Sequence, residues 1–152
     1  MTPAKITPGA GKGFGFLFEM GCGKTLTAIA TVGAGYQMGH VKRVLIVAPT
    51  SVVSVWPKEF AEYAAFPYTI RTLLGDKAKR LKELNDLVRF PYQHLKVAVI
   101  NYESTWRDEI FEALLAYDAD LIICDESQRI NTHDAAQSKA MHQLADRARY
   151  KL

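Results

Sequence analysis

The fold of this chain is decided by the stretch Phe16-Leu-Phe-Glu-Met-Gly-Cys-Gly-Lys-Thr25. The apolar run Phe14–Phe18 predicts a buried strand, and a helical pattern of apolar residues begins at Lys24. Between them, Gly21 and Gly23 permit a tight turn whose backbone N–H groups point inward. A strand, a glycine turn, Gly-Lys-Thr and a helix are together typical of a phosphate-binding loop.

Each part of this turn has a physical role in binding a nucleotide. The helix contributes its positive dipole end and its unpaired N–H groups. Lys24 supplies a positive charge for the β- and γ-phosphates, and the Thr25 hydroxyl is a ligand for Mg²⁺. We therefore predict that ATP and Mg²⁺ are the cofactors. The residues predicted to bind them are Glu19, Met20, Gly21, Cys22, Gly23, Lys24, Thr25 and Leu26.

Two features of the N-terminal region leave room for other interpretations. The pattern departs from G-x-x-x-x-G-K-[ST] at its first position, where the chain has Phe18. The alternative is a chance Gly-Lys-Thr at a helix start. The stretch Gly9-Ala-Gly-Lys-Gly13 also imitates a phosphate loop, but it lacks a Ser or Thr after its lysine and has no strand before it. We interpret it as part of a loose N-terminal arm, residues 1–13.

The composition indicates one ordinary globular domain. Of the 152 residues, 49% are hydrophobic and 23% are charged. The sequence contains neither an apolar run of the roughly 20 residues that a membrane span needs nor a signal-peptide pattern. The net charge of +3 permits a nucleic-acid partner without requiring one. We expect a cytoplasmic or nucleoid-associated protein that is not secreted and has no membrane partner.

Strands alternate with helices along the rest of the chain. Apolar runs predict strands over Val41–Ala48, Leu95–Ile100 and Ala119–Cys124, and a weak alternation predicts one over Tyr68–Leu74. Helical spacing predicts helices between them, and a mostly helical segment over Asp134–Arg149. This rhythm predicts an α/β fold with a mainly parallel sheet covered on both faces. Ligands of such sheets bind at the carboxyl ends of the strands.

The inward faces of three helices follow from the spacing of their apolar residues. The helix after the glycine turn, the helix after Gly75-Asp76 and the helix predicted over Thr105–Tyr117 each carry one apolar stripe. The residues assigned to these stripes are Leu26, Ile29, Ala30, Val32, Leu81, Leu84, Leu87, Val88, Trp106, Ile110, Phe111, Leu114 and Leu115.

Two carboxylates end the apolar stretch Leu121-Ile-Ile-Cys-Asp125-Glu126. They would meet the mouth of the sheet, where a phosphate loop holds Mg²⁺·ATP. We predict that Asp125 holds the metal through its water shell. Glu126 would orient or deprotonate the water that attacks the γ-phosphate. The alternative is a solvated Asp-Glu pair at a helix start, where acids are common. The upstream Gly-Lys-Thr turn favours the nucleotide interpretation.

Four segments, in this order, resemble the motifs of the first RecA-like domain of helicase superfamily two, and specifically those of the Swi/Snf-type DNA-dependent ATPases. The resemblance runs from about Phe14 to the C-terminus. The segments are Glu19–Thr25 for motif I, Val44–Ser51 with downstream Trp56 and Glu59 for motif Ia, Val99–Glu103 for motif Ib, and Asp125–Ile130 for motif II.

The resemblance implies a RecA-like P-loop NTPase, a three-layer sandwich, that drives movement on duplex DNA with ATP. In this family, motifs Ia and Ib touch the DNA backbone. That implies nucleic-acid contacts at Pro49, Thr50, Ser51, Asn101 and Tyr102.

The resemblance also implies the set of catalytic residues. Gln128 stands where the family usually has a histidine that couples the ATP site to later motifs. Glutamine can still form hydrogen bonds there, but it cannot become charged. The predicted catalytic residues are Lys24, Asp125, Glu126 and Gln128, with Thr25 and Asp125 as metal ligands.

Compared with the family, the sequence is expected to stop early. Residues 14–152 would form an incomplete first RecA-like domain, truncated before the motif III strand, and the second RecA-like domain would be absent. In RecA-like sheets the motif III strand lies between the phosphate-loop strand and the acidic strand, so only its first residues are expected here. An arginine finger from a second domain contributes about 10³ to 10⁵ in rate. We therefore expect this chain alone to hydrolyse ATP very slowly, if at all.

Three functional hypotheses remain open from the sequence. The first is the ATP-binding half of a DNA-dependent ATPase or helicase-like translocase. The second is the motor part of a nuclease or restriction system with the same core. The third is a truncated or degenerate module that binds nucleotide or a partner without turnover, and its incomplete sheet would favour self-association.

Trp56 is interpreted as a packing residue that fixes the loop after Pro49.

Overall fold

The apolar runs form one sheet in a computed structural model, which describes residues 7–8, 23–89, 94–125, 139, 143–144, 146, 148 and 150–151. Across these residues the strand order is β1-β6-β5-β2-β4-β3. Neighbouring strands are parallel except at the β1–β6 pair, which is antiparallel. The strands are β1 (Thr7–Pro8), β2 (Arg43–Ala48), β3 (Tyr68–Thr72), β4 (Leu95–Asn101), β5 (Leu121–Cys124) and β6 (Tyr150–Lys151).

The helices begin and end where local chemistry permits. The first helix begins at the predicted Gly-Lys and ends before Gly39, whose φ of +81° suits glycine. The fourth helix is capped at its N-terminus by Asp76, whose Oδ1 accepts a hydrogen bond of 2.8 Å from the N–H of Lys79. In the described part of the chain, no helix has the length and apolar character needed to cross a membrane. The helices are α1 (Gly23–Gln37), α2 (Thr50–Val53), α3 (Val55–Tyr63), α4 (Lys77–Arg89) and α5 (Asp108–Tyr117), with a 3-10 helix over Tyr102–Ser104.

Successive residues of β2 point to opposite faces of the sheet, and each face is covered by helices. Val44 and Ile46 pack into a core with residues of α1 and α3. Leu45 and Val47 pack into a second core with residues of α4 and α5. All four side chains are at most 1% exposed. The structure therefore has three layers, and the predicted α/β fold with a mainly parallel sheet is confirmed.

The edge of the sheet beyond β5 carries two short strands. Residues 150 and 151 pair in parallel with Leu121 and Ile122. This is the position expected for the first residues of the motif III strand, beside the acidic strand. The predicted strand Phe14–Phe18 lies outside the described residues.

On its other side, β6 pairs with Thr7–Pro8. These two residues belong to the segment predicted as a loose arm, residues 1–13, whose other residues lie outside the described ranges. The strand forms because the backbone groups at the edge of β6 need hydrogen-bond partners. Two residues, one of them a proline at the sheet edge, give no periodic pattern in the sequence.

Some of the helical residues predicted to face inward are buried, whereas several at the edges of the predicted apolar stripes are exposed. Leu26 is 40% exposed, Val88 is 43% exposed and Trp106 is 36% exposed. Ala30 is also exposed, because the inward stripe of α1 runs through its neighbours. Trp106 lies in a turn, since α5 begins three residues later than predicted. The buried members of the predicted stripes are Ile29, Val32, Leu84, Leu87, Ile110 and Leu114.

A close approach between Gly33 of α1 and the ring of Phe66 fixes the position of α1 against the aromatic residues around Phe66. A Cβ atom added at Gly33 would lie 2.5 Å from Cε1 of Phe66. The ring is held among other aromatic rings, with its centroid 6.0 Å from that of Tyr36, 6.5 Å from that of Phe60 and 6.3 Å from that of Tyr68. Because this cluster restrains the ring, a side chain at Gly33 would have to displace α1.

We predict that Gly33→Ala destabilises the fold. In an open helix, alanine would raise the free energy of unfolding by about 1 kcal/mol relative to glycine. Here the overpacking should lower it by about 1–3 kcal/mol. Urea unfolding followed by circular dichroism measures the change. In a Phe66→Ala background the same substitution should be neutral or stabilising, and an equal loss in both backgrounds would contradict the clash.

Candidate functional site

Three polar turns meet at one edge of the sheet because β2 pairs in parallel with both β4 and β5. Ala48 of β2 is the partner of Asn101, and Val47 is the partner of Cys124. The residues that follow each strand are therefore neighbours at the carboxyl edge. This edge brings together the turn after β2, the 3-10 helix after β4 and Asp125 after β5.

Asp125 is held by several hydrogen bonds at this edge. It is only 7% exposed. Its N–H donates to the carbonyl of Val47 at 2.8 Å, and its carbonyl accepts from the hydroxyl of Tyr102 at 2.6 Å. Its carboxylate Oδ2 accepts from the indole Nε1 of Trp56 at 3.3 Å. Three separate elements thus hold the backbone and the side chain of this residue.

Trp56 reaches Asp125 from helix α3. Its ring is 2% exposed and lies 6.4 Å, centroid to centroid, from the ring of Phe60. Its burial confirms that it is a packing residue. The hydrogen bond to Asp125 was not predicted, because the partner lies 69 residues away in the sequence. A helical tryptophan in a sequence does not reveal which acceptor its N–H will meet.

A polar cluster of Thr50, Asn101 and Glu103 lies beside Asp125 at the same edge. Nδ2 of Asn101 donates to Oγ1 of Thr50 at 3.2 Å and to Oε2 of Glu103 at 3.0 Å. The Thr50 hydroxyl lies 3.4 Å from the same Glu103 oxygen. Oδ1 of Asn101 is buried and has no hydrogen-bond partner within the described ranges. The sequence did not indicate that Glu103 belongs to this polar cluster, because its contacts with Thr50 and Asn101 arise only in the folded chain.

The predicted DNA-contacting residues differ in exposure. Thr50 and Ser51 are exposed, whereas Pro49 is buried. Asn101 is 7% exposed and Tyr102 is 1% exposed. The five residues thus form an exposed pair and a buried group of three, and their contacts with DNA stay a prediction. Their positions at the strand ends were predicted correctly, but the sequence did not separate the exposed residues from the buried ones.

The predicted phosphate loop is described in part. Gly23 and Lys24 form the first turn of α1, and Thr25 is half-buried. Leu26 is 40% exposed. The remaining predicted ligands and catalytic residues lie outside the described residues. These are Glu19, Met20, Gly21, Cys22, Glu126 and Gln128.

A family model for the SNF2-related domain matches residues 13–152. The chain belongs to the SNF2-related domain family. This confirms the resemblance to the Swi/Snf-type ATPases that the four motifs indicated. The matched residues contain the start of α1, the turn after β2 and Asp125.

Individual relatives agree with this family. The DNA repair and recombination protein RAD54 of Oryza sativa subsp. japonica is 30% identical over 133 residues, which are 83% of this chain and 13% of that protein. The chain spans about one seventh of the length of the curated relatives that it matches.

Two solved structures share the fold. The SWI2/SNF2 ATPase core of Sulfolobus solfataricus in complex with dsDNA aligns with a TM-score of 0.60 at 24% identity, over 80% of this chain and 23% of that one. A nuclease-deletion mutant of the Type ISP restriction-modification enzyme LlaGI, in complex with a DNA substrate mimic, aligns with a TM-score of 0.69 at 20% identity. That alignment covers 87% of this chain and 12% of the other.

We predict that Asn101→Asp destabilises the edge in a pH-dependent manner. The change replaces a donor by a carboxyl group beside Glu103 and should cost about 2 kcal/mol or more at neutral pH. Burial and the neighbouring carboxylate would raise the pKa of the new carboxyl in the folded state. The loss should therefore be largest above that folded pKa and should shrink as the pH falls toward the unfolded value of about 3.9.

Urea unfolding at several pH values tests this expectation. Asn101→Ala is the matched control, because it removes the same donor without adding a titratable group. Its cost relative to the unmodified chain should change much less over the same pH range. An Asn101→Asp cost that stays constant with pH would contradict the arrangement of Asn101 and Glu103.

Proposed function

We propose that this chain is the ATP-binding half of a DNA-dependent ATPase or helicase-like translocase, which couples ATP hydrolysis to movement on DNA. The observation that carries the proposal is Asp125, a buried carboxylate at the carboxyl edge of the sheet in a chain of the SNF2-related domain family. In a parallel α/β sheet this edge is where ligands bind. The names of the relatives support ATP and DNA as the two ligands.

The residues of the chain fit Mg²⁺·ATP by their chemistry. The Thr25 hydroxyl is a hard oxygen donor of the kind that Mg²⁺ prefers, and the Asp125 carboxylate would hold the metal through waters bound to it. The bound metal would neutralise charge on the β- and γ-phosphates. Lys24 would add a positive charge at the start of α1, together with the N–H groups of the glycine turn. Glu126 would orient or deprotonate the attacking water, and Gln128 would form hydrogen bonds that link this site to later motifs.

DNA would bind through its phosphates at the turn after β2. Thr50 and Ser51 are exposed hydroxyl residues at the start of α2. Hydroxyl and backbone N–H groups that contact phosphates carry no sequence information, which suits a motor that moves along any sequence. We assign Asn101 and Tyr102 a supporting role, because both are buried behind this turn. The structural relatives named as complexes with DNA support this partner.

A complete motor needs a partner for this half. We propose that a second RecA-like domain supplies the arginine finger, so that the present chain binds ATP but hydrolyses it slowly. The site of action would be a reducing compartment that contains DNA, cytoplasmic or nucleoid-associated.

We predict that the chain binds Mg²⁺·ATP and that Lys24→Ala abolishes this binding, because the variant would lack the positive charge proposed to bind the β- and γ-phosphates. Calorimetric titration measures it, and circular dichroism confirms that the variant folds. Lys58→Ala, an exposed lysine on α3, is the matched control and should bind normally. If the folded, unmodified chain fails to bind Mg²⁺·ATP, the nucleotide proposal is wrong and a module that binds a partner without turnover is favoured.

We predict that Glu103→Gln strengthens DNA binding several-fold at low salt. The substitution removes a negative charge beside Thr50 but keeps an oxygen that can accept its hydrogen bonds. Fluorescence anisotropy with a labelled DNA duplex measures the affinity at several salt concentrations. Glu62→Gln makes the same change of charge near the end of α3, toward the opposite edge of the sheet, and should have a much smaller effect. Equal effects of the two substitutions would argue against a DNA contact at the turn after β2.

A further inference from the structure

We propose that Trp56 is a positioning residue for the carboxylate of Asp125: its indole N–H holds that carboxylate in the orientation that the metal–nucleotide complex needs. The inference rests on the proposed function, because it assigns Asp125 to the metal. It adds a residue from helix α3, which the nucleotide-binding motifs do not include.

The geometry of the pair carries the proposal. Nε1 of Trp56 lies 3.3 Å from Oδ2 of Asp125, and the two residues are 2% and 7% exposed. An indole N–H can only donate, and a buried one needs an acceptor. Conversely, a buried carboxylate without donors would be costly. The contact therefore pairs a buried donor with an oxygen of a buried carboxylate.

The backbone of Asp125 is fixed separately from its side chain. The N–H bonds to Val47 and the carbonyl accepts from Tyr102, so strand β5 and its end are held in place by their neighbours. These bonds do not restrict rotation about the Cα–Cβ bond of Asp125. The hydrogen bond from Trp56 restricts that rotation, because it binds one named oxygen of the carboxylate.

Packing explains the ring of Trp56 but not its N–H. The ring belongs to the core shared by α1, α3 and the sheet, beside Phe60. A phenylalanine could occupy much of the same space and would leave no N–H to satisfy. Hydrogen-bond partners of metal-binding carboxylates orient them, and their loss typically weakens metal affinity or activity by about 10–100-fold. A role in positioning therefore predicts a defect that depends on the metal.

The experiment removes the N–H and keeps the shape of the ring. Trp56 is replaced by 3-benzothienylalanine, in which sulfur stands in place of the indole N–H. ATP binding is then measured by calorimetry in excess Mg²⁺ and, separately, in EDTA. We expect Mg²⁺·ATP binding to weaken by about ten-fold or more, while ATP binding in EDTA stays within about two-fold of that of the unmodified chain. The same replacement at Trp106, which is 36% exposed and lies in the turn before α5, is the matched control and should change neither value.

Two further variants keep the test decisive if the first one folds poorly. Trp56→Phe also lacks the N–H and should show the same Mg²⁺-specific loss. In an Asp125→Asn background, replacing Trp56 should cause no additional Mg²⁺-specific loss, because the carboxylate that it positions is gone. Thermal unfolding of each variant by circular dichroism separates altered binding from altered folding.

The outcomes distinguish the two proposals. Equal weakening in Mg²⁺ and in EDTA would mean that Trp56 has only a structural role, and unchanged binding would mean that its N–H is not needed; either result overturns the positioning role and leaves the nucleotide site intact. If the unmodified chain shows no Mg²⁺·ATP binding, the proposed function fails and the positioning role fails with it.

Discussion

The parallel pairing of β2 with both of its neighbours is the constraint on which the rest of the molecule depends. Its residues are buried on both faces of the sheet, so the strand cannot shift its register without moving apolar side chains from one core to the other. The same register brings the ends of β2, β4 and β5 to one edge. Polar residues far apart in the sequence become neighbours there as a direct result of apolar packing.

A carboxylate buried at the end of this apolar strand needs hydrogen-bond partners nearby. Asp125 follows a strand whose first three residues are at most 4% exposed, and it is itself almost buried. Donors from Trp56 and Tyr102, and an acceptor from Val47, compensate for the water that the residue loses. A polar residue held in this way keeps a defined position.

The sequence predicts this fold well because the strands are apolar runs and the turns after them carry distinctive residues. The parallel sheet, the helix that starts at Gly23 and the place of Asp125 at a strand end could all be predicted. The hydrogen bond from Trp56 to Asp125 and the contacts of Glu103 with its polar neighbours could not be predicted, because each depends on a partner that folding brings near. Helical spacing also misplaced Leu26, since periodicity gives the direction of a stripe less accurately than its existence.

The contact between Gly33 and Phe66 has a consequence for the evolution of the family. Because Gly33 has no side chain, the ring of Phe66 can contact the helix only at that position. The contact therefore fixes the rotation of the helix about its own axis. The first turn of α1 then faces a fixed direction, although the contact lies about three turns away. Sequence change at the two positions is therefore coupled: a larger residue at position 33 requires a smaller one at position 66, so the two sizes should vary in opposite directions among related chains.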